Sequence, residues 1–404
     1  MKKRLRWIGY FGLTFLLMIL LSLAQKTETV DGVRIIHNEK PGKWGGQPQV
    51  SLKFIRTIGD IESEDENVLF YMPSDIALDS QGNIYVLDSG NHRIQKFSPD
   101  GQFIASIGNK GQGPGEFQFP VSLDIDSEGY MYIADQGNQR IQILKPDGTN
   151  HKTIKMIKET VGIIRVLGKD RMIMGSGGVI LMSPGALEEE DQDLPKLIKI
   201  LDMEGNVKKE TGDPFDYKNF LLNRMGNNYH FTGDKKNNFY IAFDFQNRIE
   251  KYSPEGKLLW KSSRELNYST EPKNKGSIKR NGGMVSIQQP EMNTCSNGIA
   301  VDDKGRVWVV NLKRQIKEDE RIQPSVRVSM DSSGQRSMSM SVEGNTDIRE
   351  TNMYQLEVYD PEGILLGAIP LNHFVDDIRV DKDRVFLLDK MRGMQFYEYK
   401  IVEK

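Results

Sequence analysis

Residues that could perform catalysis are few in this sequence and widely spaced. It contains no Gly-x-Ser-x-Gly elbow, no HExxH motif and no phosphate-binding loop, and its one cysteine, Cys295, excludes an internal disulfide. Five histidines are present. Three of them, His92, His230 and His373, could meet only through the fold. Catalytic chemistry would therefore have to be assembled by tertiary structure rather than by a local motif.

The composition narrows the classes of protein that remain. The 404 residues include 54 Lys and Arg against 56 Asp and Glu, and 38% are hydrophobic. This balance excludes a disordered chain and a polytopic membrane protein. The formal net charge of -2 does not provide the excess of positive charge that binds nucleic acid, so we predict no nucleic-acid partner.

Two segments of the chain are near copies of each other. Residues 73–108 read PSDIALDSQGNIYVLDSGNHRIQKFSPDGQFIASIG, and residues 120–148 repeat the pattern 47 positions later. A period of this length is typical of propeller blades, each of which is a four-stranded antiparallel sheet. In the first copy we predict strand a at DIALD, strand b at NIYVLD, strand c at RIQKFS and strand d at QFIASIG.

Turn signals allow the blades to be counted where the repeat has diverged. The turn between strands a and b occurs six times, at residues 79–82, 126–129, 168–170, 234–237, 302–305 and 381–383. The turn between strands c and d occurs five times, at residues 99–101, 146–148, 203–205, 254–256 and 361–363. Residues 52–59 resemble a strand d that has no blade of its own. We therefore predict an all-β, six-bladed propeller over residues 49–404, closed by this N-terminal outer strand.

The first 25 residues have the pattern of an export signal. Lys2, Lys3, Arg4 and Arg6 precede an uncharged run over residues 7–24. A short basic segment followed by an apolar run is typical of a cleaved signal peptide or an N-terminal transmembrane anchor helix. We predict this segment over residues 1–25, a linker over residues 26–48, and a protein that is periplasmic, secreted or held at the membrane by its N-terminal helix.

The sequence around GQGPGEFQFP, residues 111–120, resembles the NHL-repeat propellers. The triplet Asn91-His92-Arg93 stands at the position that gives this family its name, with Arg in third place. With the export pattern, the chain is similar to the secreted bacterial type of six-bladed NHL propeller. The resemblance implies the fold but no single activity, since the family includes scaffolds, RNA binders and a lyase.

Polar residues recur where strand b ends and strand c begins. The strand-b end holds Asp88, Asp135, Ser176, Asp244, Asn311 and Asp389, and the strand-c start holds Arg93, Arg140 and Arg248. Asp at such a position accepts backbone N–H groups, and a repeated Arg beside it indicates an ion pair within the blade. We therefore interpret these residues as structural.

The longest insertions are predicted to share one face of the propeller. Residues 177–194 and 313–352 fall between strands b and c, and residues 208–229 and 264–295 fall between strand d and the next strand a. These connections emerge on the same side, which we call the loop face. The a–b and c–d turns emerge on the opposite side, the turn face. Loops on a rigid scaffold commonly carry binding residues, so the loop face is the predicted binding face.

Candidate ligand contacts lie in and beside these insertions. Tyr217 and Tyr229 belong to an aromatic and amide-rich connection, Asn311 and Lys313 lie at the neighbouring mouth, and His92 occupies the NHL triplet. An alternative for the first connection is a short helix that packs Leu221 and Leu222 onto the rim. Residues 321–344 alternate strongly and predict an extra β-hairpin, with Met330, Met338 and Met340 on its surface.

Three oxygen-bearing side chains near the predicted start of strand a could hold a calcium ion in the central channel. They are Asp75, Asp377 and Ser122. A water-filled channel that satisfies the carboxylates without metal is the alternative.

The sequence therefore predicts an exported, non-catalytic binding or scaffold propeller. Its expected partner is an envelope or extracellular protein, peptide or glycan, with membrane contact only through the N-terminal segment. The alternative is a metal-dependent hydrolase or lyase of the propeller type with its site at the central channel. The missing catalytic motifs favour the binding protein over the enzyme, and no feature of the sequence names the ligand.

Overall fold

Six blades of four antiparallel strands each are arranged around a central channel, which confirms the prediction of an all-β, six-bladed propeller. The computed structural model describes residues 26–156, 159–175, 194–281, 284–330 and 336–404. The innermost strands contact one another around the ring, and the first of these contacts the last. The predicted signal or anchor segment, residues 1–25, lies outside the described residues. Among the helices that are described, none has the length and apolar character to cross a bilayer.

Each blade runs from strand a at the channel to strand d at the rim. Blade one comprises β4 (Pro73–Leu78), β5 (Ile84–Asp88), β6 (Arg93–Phe97) and β7 (Phe103–Ile107). Blade two comprises β8 (Pro120–Ile125), β9 (Met131–Asp135), β10 (Arg140–Leu144) and β11 (Asn150–Lys155). Blade three comprises β12 (Ile163–Leu167), β13 (Arg171–Gly175), β14 (Ile198–Asp202) and β15 (Val207–Thr211).

The second half of the ring follows the same plan. Blade four comprises β16 (Tyr229–Gly233), β17 (Phe239–Phe243), β18 (Ile249–Tyr252) and β19 (Leu258–Arg264). Blade five comprises β22 (Ser296–Val301), β23 (Val307–Leu312), β26 (Tyr354–Tyr359) and β27 (Leu365–Pro370). Blade six comprises β28 (Asp377–Asp381), β29 (Arg384–Asp389), β30 (Gln395–Glu403) and, from the other end of the chain, β3 (Val50–Ile58).

The outer strand of blade six pairs residues that are far apart in the sequence. β3 runs antiparallel to β30, with Val50 opposite Glu403 and Ile58 opposite Phe396. Val50 and Ile58 are both buried. The apolar core lies between neighbouring blades, where alternating β residues of facing sheets meet.

The turn face is built by a repeated aspartate. In blade one, Oδ1 of Asp79 accepts from the backbone N–H groups of Gln81 and Asn83, at 2.9 and 3.0 Å, and Oδ2 accepts from the Tyr85 hydroxyl at 3.2 Å. The same device recurs as Asp126 with Tyr132, Asp234 with Tyr240, and Asp302 with Trp308. Because Asp readily bonds the backbone two residues ahead, these turns stay short.

The segment expected to be a linker is instead folded in part, which corrects the prediction for residues 26–48. β1 (Lys26–Val30) and β2 (Val33–Asn38) form a hairpin, and β2 pairs parallel with β19 at the rim of blade four. The turn residues Asp31 and Gly32 both have positive φ, as a type I′ turn requires. Asp-Gly between alternating strands was therefore the sequence signal for this hairpin.

Beyond the hairpin the chain continues along the rim to blade five. The backbone N–H groups of Lys43 and Trp44 donate to the carbonyls of Leu365 and Leu366 at 3.1 and 2.7 Å. Gly367 leaves room for the indole, since a Cβ there would lie 2.5 Å from Trp44. Residues 33–58 therefore contact the outer edges of blades four, five and six in turn.

The described insertions all emerge on the loop face. Helix α1 (Phe220–Gly226) precedes blade four, the hairpin of β20 (Ser277–Asn281) and β21 (Met284–Gln288) precedes blade five, and the hairpin of β24 (Ile322–Met330) and β25 (Arg336–Gly344) lies between β23 and β26. The last of these confirms the predicted extra hairpin. Most of the remaining insertion, residues 176–193, and the side chains of Met330, Met338 and Met340 lie outside what the structure describes.

Candidate binding site at the channel mouth

Charged side chains from blades four and six meet where the channel opens on the loop face. His230 is the second residue of β16, Asp244 follows β17, and Asp377 begins β28. His230 Nδ1 lies 3.3 Å from an oxygen of Asp377, and Nε2 lies 3.6 Å from an oxygen of Asp244. These three side chains are 20 to 23% exposed, so they are recessed but remain in contact with solvent.

Two further charges complete this group, which we call the mouth cluster: His230, Asp244, Asp376, Asp377 and Lys390. Asp376 immediately precedes β28, and its Oδ2 accepts from the Lys390 backbone N–H at 2.8 Å. Lys390 follows β29, near enough to Asp376 and Asp377 for their charges to act on its ammonium group.

The recess perturbs the titration of the mouth cluster. Burial disfavours the charged form of His230, but the carboxylates of Asp244 and Asp377 outweigh it and raise the pKa of His230 to about 9. Burial raises the pKa of Asp244 to about 6. Burial and then repulsion from Asp389 raise the pKa of Asp376 to about 6. Strongly shifted groups of this kind are concentrated at functional sites.

A glycine in blade five allows His230 of blade four to contact Asp377 of blade six. Gly298 lies on the intervening strand β22, and a Cβ at this position would lie 2.8 Å from Oδ1 of Asp377. Any larger residue would displace Asp377 from His230.

Below the mouth cluster the channel is filled by a buried ion-pair layer. The Asp75 carboxylate accepts from the Ser122 hydroxyl at 3.1 Å and from Arg165 at 3.0 Å, and Arg379 lies 3.3 Å away. Burial opposes ionisation of Asp75, but the two guanidinium groups and backbone N–H donors lower its pKa overall. Asp124 adds a second carboxylate, 3.5 Å from Arg379.

The predicted calcium ligands are therefore divided between two arrangements. Asp75 and Ser122 are brought together, but Asp377 pairs with His230 in the mouth cluster. Two arginines already neutralise Asp75, which disfavours a further cation beside it. Within the described part of the chain, no three His, Cys, Asp or Glu side chains are grouped so that they could hold a metal ion.

Three of the predicted ligand contacts are buried, and the structure corrects them. Tyr229 is 1% exposed, packs with Phe231 and Phe243, and donates its hydroxyl hydrogen to the carbonyl of Leu197. Asn311 is 0% exposed and donates to Glu357 at 2.6 Å. Neither can reach a ligand on the loop face, because Tyr229 is enclosed between blades three and four and Asn311 is bonded inside blade five.

His92 is also structural. Its Nδ1 accepts from the backbone N–H of Phe119 at 3.1 Å, and its ring meets the Phe119 ring edge to face. It is buried, and burial lowers its pKa. The histidine of the triplet thus joins blade one to the start of blade two and does not face a ligand.

Tyr217 and Lys313 remain accessible on the loop face. Tyr217 is half-buried against Gly226 of α1 and meets Phe215 edge to face, at 4.7 Å between ring centroids. Phe215 is 53% exposed, and the side chain of Lys313 is exposed as well. The predicted short helix is confirmed as α1, with Leu221 and Leu222 buried beneath it. The roles of Tyr217 and Lys313 stay predictions.

The repeated Asp and Arg of blades one and two form the predicted ion pairs. Arg93 donates to Asp88 and Arg140 donates to Asp135, each at 2.8 Å. These carboxylates also accept hydrogen bonds from backbone N–H groups. Those N–H groups belong to the preceding d–a connections rather than to the b–c turn. Arg248 differs, because it stacks over Phe243 at 3.8 Å.

Sequence reasoning did not assemble the mouth cluster. His230 and Asp377 were candidates and Asp244 was interpreted as structural, but these residues belong to blades four and six, which are not neighbours. No spacing rule connects strand a of blade four with strand a of blade six. The cluster follows from ring geometry and from Gly298, neither of which is a local sequence signal.

Comparison with known proteins agrees with the fold. Residues 70–97 match the NHL repeat, which spans strands a to c of blade one. The chain is therefore a six-bladed β-propeller that carries an NHL repeat, as the sequence predicted. Among curated proteins, none matches this sequence.

The solved structures to which this chain is similar are distant from it in sequence. A member of the DUF4221 family from Bacteroides vulgatus is 12% identical, with a TM-score of 0.53 over 88% of this chain and 99% of that one. A putative exported protein from Bacteroides fragilis is 10% identical, with a TM-score of 0.48 over 92% and 99%. A streptogramin B lyase is 13% identical, with a TM-score of 0.43 over 89% and 99%. At such identities the likeness concerns the fold alone.

Proposed function

We propose that this protein is a binding propeller that recognises a protein, peptide or glycan through its loop face, with a polar group of the ligand entering the mouth cluster. The observation that carries the proposal is that the recessed charges of blades four and six open onto the face that bears every described insertion. A rigid ring beneath long loops is a common arrangement for recognition.

The depth of the site follows from the ion-pair layer below it. Arg165 and Arg379 close the channel beneath the mouth by pairing with Asp75 and Asp124. A ligand group can therefore enter only a short distance, and most of its contacts must come from the surrounding loops. This geometry suits the end or a projecting group of a larger ligand.

The aromatic pair of Phe215 and Tyr217 is the proposed anchor beside the mouth. Asp216 and Asn223 fix this loop, because the Tyr217 backbone N–H donates to Asn223 at 2.6 Å and Asn223 donates to Asp216 at 3.1 Å. An exposed aromatic held by a fixed loop loses little conformational entropy on binding. Lys313 provides a cation on the blade-five side of the face.

Site-specific photocrosslinking tests this function. A photoreactive residue in place of Phe215 or Lys313 should form adducts with the ligand in the native cell envelope. The matched positions on the turn face are Lys235 and Glu362, with exposed side chains, and these should form none. Asp244→Asn combined with Asp377→Asn should reduce the adducts from position 215 when both proteins are compared below their melting transitions, since the loss of both partners of His230 should lower the melting temperature. Adducts that arise only from the turn-face positions would refute the proposal.

An acid–base enzyme is the second candidate, because the raised pKa values of His230 and Asp244, about 9 and about 6, lie on either side of neutral pH. In this case Asp244 would be the proton-exchanging group and His230 a fixed cation. Asp244→Asn would then retain binding but abolish conversion of the bound ligand. If Asp244→Asn instead loses binding, and the parent protein does not convert the ligand, then the site binds its ligand without catalysis.

The proposed site of action is outside the cytoplasm. The basic and apolar pattern of residues 1–25 supports export, as a cleaved signal or a retained anchor. Protease treatment of intact spheroplasts should degrade the propeller, whereas a cytoplasmic marker should survive. A propeller that stays protected with the marker would contradict export.

We also propose that the pairing of β3 with β30 keeps the ring closed and so holds blades four and six at the spacing that the mouth cluster needs. The support is the ladder from Val50 to Ile58, in which the register shifts once, between Phe54 and Arg56. Without it, the outer edge of β30 would be unpaired.

A further inference from the structure

Aromatic rings on strand b are covered by a cation in four of the six blades. The covering groups lie 5.0 to 5.5 Å from the ring centroids, within the range of a cation–π contact. The pairs are Lys96 over Tyr85, Lys251 over Tyr240, Arg306 over Trp308 and Arg384 over Phe386. In blades one and four the lysine comes from the residue directly opposite on strand c. In blades five and six the arginine stands two residues before the ring.

Blade two has the ring but lacks the cation. Tyr132 donates its hydroxyl hydrogen to Asp126 at 3.1 Å, as Tyr85 and Tyr240 do to their own aspartates. Its strand-c partner is Ile143, where blades one and four have lysine. Tyr130 stands two residues before it, where blades five and six have arginine. No Lys or Arg of the described residues covers the Tyr132 ring.

A cavity occupies the space that the missing cation leaves. It measures about 260 Å³ and opens on the turn face between blades two and three. Tyr132 and Ile143 line it, as do His151 and the acidic residues Asp126 and Glu128. Glu128 is already paired with Lys169, so the Asp126 carboxylate provides the negative charge for a bound cation.

The lysines at the rim of this cavity have partners of their own. Lys152 donates to the carbonyl of Met203 at 2.8 Å and to Glu204 at 3.2 Å. Lys169 donates to Glu128 at 2.9 Å. These contacts direct both ammonium groups to the rim rather than over the Tyr132 ring.

We propose that this slot binds a primary ammonium group from outside the chain, placed over Tyr132 as Lys96 and Lys251 are placed over their own tyrosines. The ligand class is an alkylamine, supplied either by a free diamine or by a lysine side chain of a peptide. The site lies on the turn face, so it does not depend on the function proposed for the loop face.

Calorimetric titration of the purified protein tests the slot with two probes. Cadaverine represents the free diamine, and acetyl-Gly-Lys-Gly-amide represents the peptide source. The same peptide with norleucine in place of lysine keeps the methylenes without the charge and should not bind. Binding of cadaverine alone assigns the slot to a free amine, and binding of the lysine peptide assigns it to a partner's side chain.

Two reciprocal variants give the decisive comparison. Ile143→Lys supplies the slot with an ammonium group of its own, so amine affinity should fall at least about tenfold while the melting temperature is kept or rises. Lys96→Ile uncovers Tyr85 in blade one and should add a second, weaker site. Equal amine binding by the parent protein and Ile143→Lys would overturn the proposal, as would the absence of binding by both probes.

Discussion

At the scale of single residues, the main feature of the channel is a set of charged side chains that are recessed or buried together with their ion-pair partners. His230 lies between Asp244 and Asp377, and Asp75 lies between two arginines. A buried charge is stable only when it is paired. Removing one partner therefore leaves an unpaired buried charge and lowers the free energy of unfolding. This rule gives two predictions.

The first concerns the pH dependence of His230. Its pKa in the folded protein is about 9, against an ordinary value of about 6.5, so its stabilising effect is complete below pH 6.5 and is lost as the pH rises past 9. His230→Gln should lower the free energy of unfolding by about 1 to 3 kcal/mol at pH 6, with the difference vanishing near pH 10. Chemical denaturation across this pH range measures the effect. His151→Gln, on exposed β11, is the control and should change little at either pH.

The second concerns Asp75. Asp75→Asn leaves Arg165 and Arg379 without their shared carboxylate and should lower the free energy of unfolding by about 3 to 5 kcal/mol, as measured by denaturant titration. Asp213→Asn removes a carboxylate that is 76% exposed beside Lys196 and should cost about 1 kcal/mol or less. Equal losses in the two variants would show that the buried layer does not have the role assigned to it.

At the scale of elements, one buried amide at the end of the N-terminal hairpin connects two blades. Asn38 donates to Ser262 at 2.7 Å and to the Gly363 carbonyl at 3.1 Å, and it accepts from the Leu365 backbone N–H at 2.7 Å. The amide therefore connects the rim strand of blade four to blade five. Ile36, two residues before Asn38 on β2, is fully buried.

Truncation of this amide should loosen the contact between the two blades. Asn38→Ala leaves the Leu365 backbone N–H without its buried acceptor, so we expect a loss of about 1 to 3 kcal/mol and faster hydrogen exchange at Leu365. Thr29→Ala, on the exposed strand β1, is the matched change and should have almost no effect. Unchanged exchange at Leu365 in Asn38→Ala would contradict this role for the amide.

At the scale of the whole molecule, stability should depend on how the ring is closed. A chain that begins at Gln49 loses the rim hairpin but keeps β3, and a chain that begins at Asp60 loses both. If β3 closes the ring, the step from the first to the second should lower the melting temperature by about 5 °C or more, because it uncovers β30 and removes the buried Val50 and Ile58.

A loop-face deletion of similar length is the comparison for this prediction. Removal of residues 322–344 takes away the hairpin of β24 and β25 but no strand of a blade, so its melting temperature should stay closer to that of the parent. Equal melting temperatures for the chains that begin at Gln49 and Asp60 would exclude closure by β3.

The sequence by itself determined the repeating parts of this protein. The number of blades, the Asp-based turns and the ion pairs of Arg93 and Arg140 could be predicted, because each depends on residues a few positions apart that recur at equivalent places. The Asp31-Gly32 turn carried the same kind of local signal, although the hairpin it forms was taken for a linker.

The tertiary structure alone decided which of the candidate residues can meet a ligand. Tyr229 and Asn311 lie near the loop-face ends of their strands, but both side chains are buried. His230 and Asp377 are 147 residues apart and meet only because the ring closes and Gly298 has no side chain between them. Contacts across a channel depend on the curvature of the whole ring, and no pattern within a single blade encodes that curvature.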